Sequence, residues 1–248
     1  MATDPAATTG VFLTAEWRKL MMAQYAVPPA VLEPYLPPGT ELDLYQGQCF
    51  VSLVGFLFRR VRVLRLPIPF HTSFEEVNLR FYVRRVDPDG AIRRGVVFVS
   101  EIVPRAAISL VANTFYEEPY TTMPMRHSIA DDGQALRVRY DWRHRGQWSS
   151  AETVAASQPV PIEPGSVEEF ITEHYWGFTK RSKGATSQYQ VEHPRWLVYP
   201  ISSCTIQADF GALYGPVFAS TDARRPDNVL LAEGSAVSVY TGTRLTGR

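Results

Sequence analysis

Polar and apolar residues alternate most regularly along Phe74–Val86, where Val77, Leu79, Phe81 and Val83 share one side and Glu76, Asn78, Arg80 and Tyr82 the other. Successive side chains of a strand point to opposite faces, so this alternation predicts a β-strand. Residues 49–58 form a mixed apolar run of strand length. Asp87-Pro88-Asp89-Gly90 has the residues of a tight turn, and 95–103 reads as the return strand of a hairpin. Asp131-Asp132-Gly133 marks a second hairpin between 125–130 and 135–142, and 188–199 and 235–241 also read as strands.

Helical signals are fewer and shorter. Residues 105–116 follow Pro104 and set Ile108, Val111 and Phe115 at helical spacing. Ser166-x-x-Glu169 is a capping box, in which the serine oxygen accepts from a helix amide and the glutamate returns a bond; it predicts a helix over 167–175. Pro29 can open a short helix over 30–35, because the first helical position needs no N–H, and Leu36-Pro37-Pro38-Gly39 ends it. The stretch 12–25 brings Trp17, Arg18, Leu20, Met21 and Tyr25 together before those prolines. Many strands with a few short helices at turns predict a mainly β chain of the α+β kind, built as a barrel or sandwich. The polar residues 1–10 read as a disordered tail and 11–248 as a single domain.

Composition narrows the partners. The chain has 248 residues, with 25 Lys plus Arg against 25 Asp plus Glu. Following a phosphate backbone takes a surplus of positive charge, so nucleic acid is not an expected partner. A content of 45% hydrophobic and 20% charged residues fits a folded globular chain and excludes disorder. No apolar run approaches the ~20 residues of a membrane helix, and 1–10 lack the charged start and apolar run of a signal peptide. No membrane is expected, and the cytoplasm is the expected location. Cys49 and Cys204 lie far apart and outside any C-x-x-C pair, and read as buried free thiols. The cations are nearly all arginine, since Lys occurs only at Lys19, Lys180 and Lys183. An arginine fork holds carboxylates and never deprotonates, whereas a lysine in a dry pocket can become an amine nucleophile.

No nucleophile elbow, P-loop or dinucleotide fingerprint occurs, and His71, His127, His144, His174 and His193 lack H-x-H and H-E-x-x-H spacing. Neither a cofactor nor a metal is expected. The richest stretch chemically is 95–127, which carries Glu101, Arg105, Tyr116, Tyr120 and His127 around an apolar strand and helix. Arg137, Arg139, Arg143 and Arg145 alternate with Val138, Tyr140, Trp142 and His144. The neutral total argues against base stacking by that strand, and an exposed sheet edge guarded by charge is the simpler account.

Several segments together resemble a known family. Glu16-Trp17-Arg18, Tyr25-x-Val27-Pro28-Pro29, Phe74-Glu75-Glu76-Val77-Asn78-Leu79-Arg80, Pro124-Met125-Arg126-His127 and Val191-Glu192-His193-Pro194 look like the YqjF-like family, a domain of unknown function. The likeness runs over nearly the whole chain after Gly10. That family is similar in turn to the acetoacetate decarboxylase-like superfamily, which implies a closed, cone-like β-barrel around a buried pocket for small organic acids, and a chain able to form homo-oligomers. Fold carries over more firmly than activity, because function belongs to the site. In those decarboxylases a Schiff-base lysine stands in a Gly-x-Pro-Lys-Lys motif, its amine made reactive by desolvation and a neighbouring cation. The matching stretch Glu118-Pro119-Tyr120-Thr121 keeps the proline and has no lysine, and Lys180 and Lys183 sit in a polar loop as ordinary amines. Schiff-base decarboxylation is therefore not expected.

The resemblance implies a pocket glutamate closest to Glu76 and a pocket arginine closest to Arg18. If the polar side of Phe74–Val86 lines the interior, Glu76 is a buried carboxyl with a raised pKa, suited to moving a proton; if that side faces solvent, it is a solvated face. Arg18 either anchors a substrate carboxylate or makes a structural ion pair. His127 is the histidine singled out as acid or base. Glu101, Arg105, Tyr116 and Tyr120 are taken as substrate-binding residues, while His174 and His193 read as structural. The expected function is a pocket protein for a small organic acid or carbonyl compound, with lyase-like or acid-base chemistry through Glu76. A non-catalytic binding or sensing protein with the same barrel is the other reading.

Overall fold

The computed structural model describes residues 10–67, 71–105, 119–181, 184–221 and 225–245. The first strands are β1 (Val11–Val27), β2 (Glu41–Leu42), β3 (Cys49–Val63), β4 (Leu66–Pro67), β5 (Phe74–Val86) and β6 (Ile92–Val103). There follow β7 (Tyr120–Thr122), β8 (Met125–Asp131), β9 (Ala135–His144), β10 (Gln147–Ala156), β11 (Val160–Pro161) and β12 (Trp176–Lys180). The last are β13 (Thr186–Glu192), β14 (Leu197–Tyr199), β15 (Ile201–Gln207), β16 (Asn228–Tyr240) and β17 (Thr243–Leu245). Helices are short: α1 (Pro29–Leu32), α2 (Val167–Thr172) and α3 (Phe210–Tyr214).

The larger sheet runs β16-β1-β3-β5-β6-β12-β13, and β13 pairs again with β16 through Val191 to Val239 and Glu192 to Ser238. The hydrogen-bonded path returns to its start, as in a closed barrel. Most neighbours are antiparallel, and the join of β6 to β12 is parallel, with Trp176 opposite Gly95 and Gly177 opposite Val96. Glycine is needed there: a Cβ on Gly95 would lie 2.5 Å from the Trp176 carbonyl oxygen, and one on Gly177 would enter the Tyr189 ring. A second sheet, in the order β15-β10-β9-β8, packs on the outside.

The alternation in β5 now has two buried meanings. Val77, Leu79, Phe81 and Val83 join the core shared with Leu136, Val138, Tyr140 and Trp142 of β9. Phe74, Glu76, Asn78 and Arg80 face a cavity inside the barrel. Two β-bulges set which residues share that interior. In β6, Leu79 pairs with Ser100 and Arg80 with Phe98, so Val99 is the extra residue and both Glu101 and Phe98 point inward. In β1, Arg18 pairs with Leu57 and Met21 with Gly55, and Lys19 adopts φ +54°, which lets Trp17 and Leu20 both face inward. Tyr140 Oη donates to the Lys19 carbonyl at 2.8 Å and ties the second sheet to this bulge.

Three sequence expectations change. The arginine-bearing strand β9 lies between β8 and β10, not at an edge; its outward side is an ion-pair ladder, with Arg137 on Glu152 at 2.5 Å and Arg139 on Asp141 at 2.7 Å. The 188–199 run divides into β13 and β14, because His193-Pro194-Arg195-Trp196 lies between them outside either strand. The capped helix stops at Thr172, since the Tyr175 amide donates to the Arg94 carbonyl at 3.1 Å as the chain enters β12. Its cap is a variant of the box: Ser166 Oγ accepts from the Glu169 amide, and Glu169 returns the bond to Gly165, one residue earlier. The expected helix over 105–116 falls outside the described residues, Arg105 excepted, and the expected tail does so but for Gly10. Cys49 is buried and Cys204 half-buried, both as free thiols. No helix among the described residues is long and apolar enough to cross a membrane.

Candidate functional site

The barrel encloses a cavity of about 220 Å³ whose wall is mostly aromatic and aliphatic. Its polar groups come largely from one stripe of β5 and the strand beside it. Glu76, Asn78 and Glu101 are nearly fully buried, at 2%, 2% and 1% exposure. Asn78 Nδ2 donates to Glu76 Oε1 at 2.9 Å, and Tyr120 Oη donates to Glu76 Oε2 at 3.4 Å. Tyr120 reaches this point because β7 runs parallel to β6, with Tyr120 opposite Glu101. Glu76, Glu101 and Tyr120 are thus brought together.

The cavity holds an arginine that the sequence did not single out. Arg80 lines the wall, and no carboxylate pairs with it among the described residues. Its contacts are the Met22 sulfur at 3.6 Å and the face of Tyr82 at 5.8 Å. Nearby, the His174 side chain is 1% exposed and its Nε2 lies 3.1 Å from Asp43 Oδ2, which also accepts from Arg94 Nε at 2.6 Å. Burial pushes His174 down to about 4, outweighing the Asp43 bond, and the charges of Arg94 and Arg80 add to the lowering. Burial pushes the Asp43 carboxyl up, but the bonds from His174 and Arg94 outweigh it and hold the group below its ordinary range. A neutral imidazole beside an ionised carboxylate must donate from Nε2, which leaves Nδ1 as a bare acceptor. His193, also in the wall, is pushed down chiefly by burial, against the bond to the Pro194 carbonyl, and the Arg80 charge adds to the lowering.

Several wall residues carry buried polar atoms with no hydrogen-bond partner among the described residues: Trp17 Nε1, Asn78 Oδ1, Arg80 Nε and His174 Nδ1. Buried polar groups in native proteins are almost always satisfied, so these wall atoms are the ones a polar guest can bond.

The remaining expected residues lie elsewhere. Arg18 faces away from the cavity, beside inward-facing Trp17, and binds Glu16 at 3.1 Å and Glu233 at 3.6 Å. His127 pairs with Glu75 at 2.5 Å on the side of β5 opposite Glu76. Arg18 and His127 share an outer cleft between the barrel and the second sheet. Arg105 is exposed beyond the end of β6, and its charge joins the stronger His127 bond in lowering the Glu75 carboxyl. Tyr116 and Lys183 lie outside the described residues. Lys19 points outward to Glu233 and Tyr199, each at 2.5 Å, and these partners keep it charged despite burial. Lys180 Nζ donates to the Pro34 carbonyl on the surface. His174 and His193 could have been found only by knowing that the turn after α2 and the segment after β13 both meet the barrel wall. Among the described residues no group of His, Cys, Asp and Glu is arranged to hold a metal ion.

Comparison with known proteins agrees with this architecture. The acetoacetate decarboxylase of Legionella pneumophila superposes with a TM-score of 0.62 at 12% identity, covering 98% of this chain and 93% of that one. The enduracididine biosynthesis enzyme MppR, complexed with pyruvate, gives 0.63 at 14% identity, covering 98% and 94%. At such identities these likenesses establish the acetoacetate decarboxylase-like fold and nothing finer. The uncharacterized protein YqjF of Bacillus subtilis is 27% identical over 186 residues, 73% of each chain. Residues 14–236 match the DUF2071 model, described as an uncharacterized conserved protein, and the chain belongs to that family.

Proposed function

We propose that the barrel binds a small organic acid or carbonyl compound and that Glu76 moves a proton on it. The observation that carries this reading is the Arg80 guanidinium, paired with no carboxylate among the described residues, in the wall of an otherwise largely apolar cavity and on the same strand face as the buried Glu76 carboxyl. A cation in such a place is stabilised by an anionic guest, and a guanidinium fork suits a carboxylate. Arg80 and Glu76 stand four residues apart on one face, roughly 13 Å between Cα atoms. A bound acid can therefore present a carbon or oxygen distant from its carboxylate to Glu76.

Asn78 and Tyr120 orient the Glu76 carboxyl, Glu101 flanks it, and His174 offers Nδ1 as a neutral acceptor at the anchor. Among the described residues no lysine amine reaches the cavity for a Schiff-base route, because Lys19 faces outward and Lys180 lies on the surface. A solved neighbour holding pyruvate lends support at the level of ligand class.

The test follows solvent deuterium by NMR into the carbons next to the carbonyl of a panel of oxo acids whose carbonyl lies beside the carboxylate or several carbons away from it. General acid-base catalysis contributes about 10²–10⁴-fold, so Glu76→Gln should lose at least a hundredfold of the exchange rate while acid affinity changes by only a few-fold. Exchange equal in the wild-type and Glu76→Gln chains would leave a binding or sensing protein instead.

A further inference from the structure

Along the barrel axis the cavity wall changes character. On β5 and β3 the inward layers pair Arg80 with Ser52, Asn78 with Val54, Glu76 with Phe56 and Phe74 with Phe58; Trp17 of β1 also pairs with Phe58. Polar groups occupy the layers from Arg80 to Glu76. Beyond them the wall is an aromatic collar, in which ring centroids lie 5.5 Å apart for Trp17 and Phe56, 5.0 Å for Phe56 and Phe58, and 4.8 Å for Phe58 and Phe74. The Arg80 end is closed, because the rings of Phe170 in α2 and of His174 pack on Tyr82 at 5.6 and 4.8 Å. At the other end the wall residues Phe12, Val63 and His71 are only half-buried. Next to them Leu64 and Leu66 stand 65% and 69% exposed.

We infer that the cavity takes an amphiphilic monocarboxylate, seated with its head at Arg80 and an apolar chain running past Glu76 through the Trp17–Phe58–Phe74 collar. The inference rests on the proposed anchor at Arg80 and adds the tail. From Arg80 to Phe74 the wall is about 20 Å long at the rise of a strand. An acid of pyruvate size occupies the polar layers alone and leaves the collar unfilled. Apolar cavities are filled most favourably by apolar groups, and the gain scales with the surface removed from water.

The test titrates butyrate, hexanoate, octanoate and 1-octanol into the full chain by calorimetry, and repeats the series with Arg80→Gln and Phe58→Ala. In the wild type, affinity should rise roughly tenfold for each added pair of methylenes. Octanoate should bind at least tenfold more tightly than 1-octanol in the wild type and equally with it in Arg80→Gln. Phe58→Ala should remove much of the gain from hexanoate to octanoate and leave butyrate unchanged. A flat chain-length series in the wild type, with every acid weakened in Arg80→Gln, overturns the tail and keeps the anchor. Equal binding of octanoate and 1-octanol in the wild type, untouched by Arg80→Gln, overturns the anchor itself. Both decisive comparisons begin with the wild-type chain, so a failure of Phe58→Ala to fold would not remove the test.

Discussion

Asn78 donates its side-chain amide to Glu76 across 2.9 Å, from two residues further along the same face of one strand. The contact is local in sequence, yet its effect depends on the barrel that buries both groups. Both groups are buried, so losing the donor is costly. Asn78→Leu should destabilise the chain by about 1–3 kcal/mol, the cost of a buried polar group losing a hydrogen-bond partner. Chemical denaturation checks this, and a cost below ~0.5 kcal/mol would show that Asn78 does not support the carboxyl.

Arg80 predicts the opposite sign. A cation held in an apolar wall without a paired carboxylate among the described residues costs stability in the ligand-free chain, and function is the usual reason for keeping it. Arg80→Met should raise the stability of the ligand-free protein by about 1 kcal/mol, a rise in Tm of roughly 2–4 °C for a chain of this size. A lower Tm would mean that Arg80 is a structural group.

His174 gives the fold an acid limb. Its imidazole is neutral in the folded state with a pKa of about 4 and titrates near 6.5 when unfolded. The unfolded chain therefore binds the proton first, and stability falls as pH drops through the window from about 6.5 to about 4. His193, also lowered, acts with the same sign. Between about pH 7 and pH 5 the loss due to His174 should be about 2 kcal/mol. His174→Gln should flatten this part of the profile, read by denaturant titration at each pH; an unchanged slope would show that the ring is not held neutral.

Much of the barrel was legible along Phe74–Val86, because a strict alternation can be read without knowing what lies on either side. The polar side, Glu76, Asn78 and Arg80, was visible as a side, but its direction depended on barrel closure. Bulges were not legible. Val99 and Lys19 leave no mark in the hydrophobic pattern, and each reverses the inward parity of its strand beyond it. Arg18 was matched to a pocket arginine on its place in the chain, while its neighbour Trp17 holds the inward position. His127 fell near Glu101 in sequence and across the sheet in space. The central place of β9 depended on β10, a strand with a weak local signal of its own.

The return of the sheet on itself also sets a timetable. Val11 pairs with Tyr240, and the last join of the ring, Val191 to Val239, uses the same distant segment. At the usual 5–20 residues per second of synthesis, β1 waits roughly ten seconds or more for its partner. Through that interval Trp17 and the collar rings lack one wall, and β1 presents an unpaired edge. A nascent chain of this kind exposes its ligand-facing surface before it can hold a ligand, so the slow, long-range closure is the step at which misassembly competes with folding.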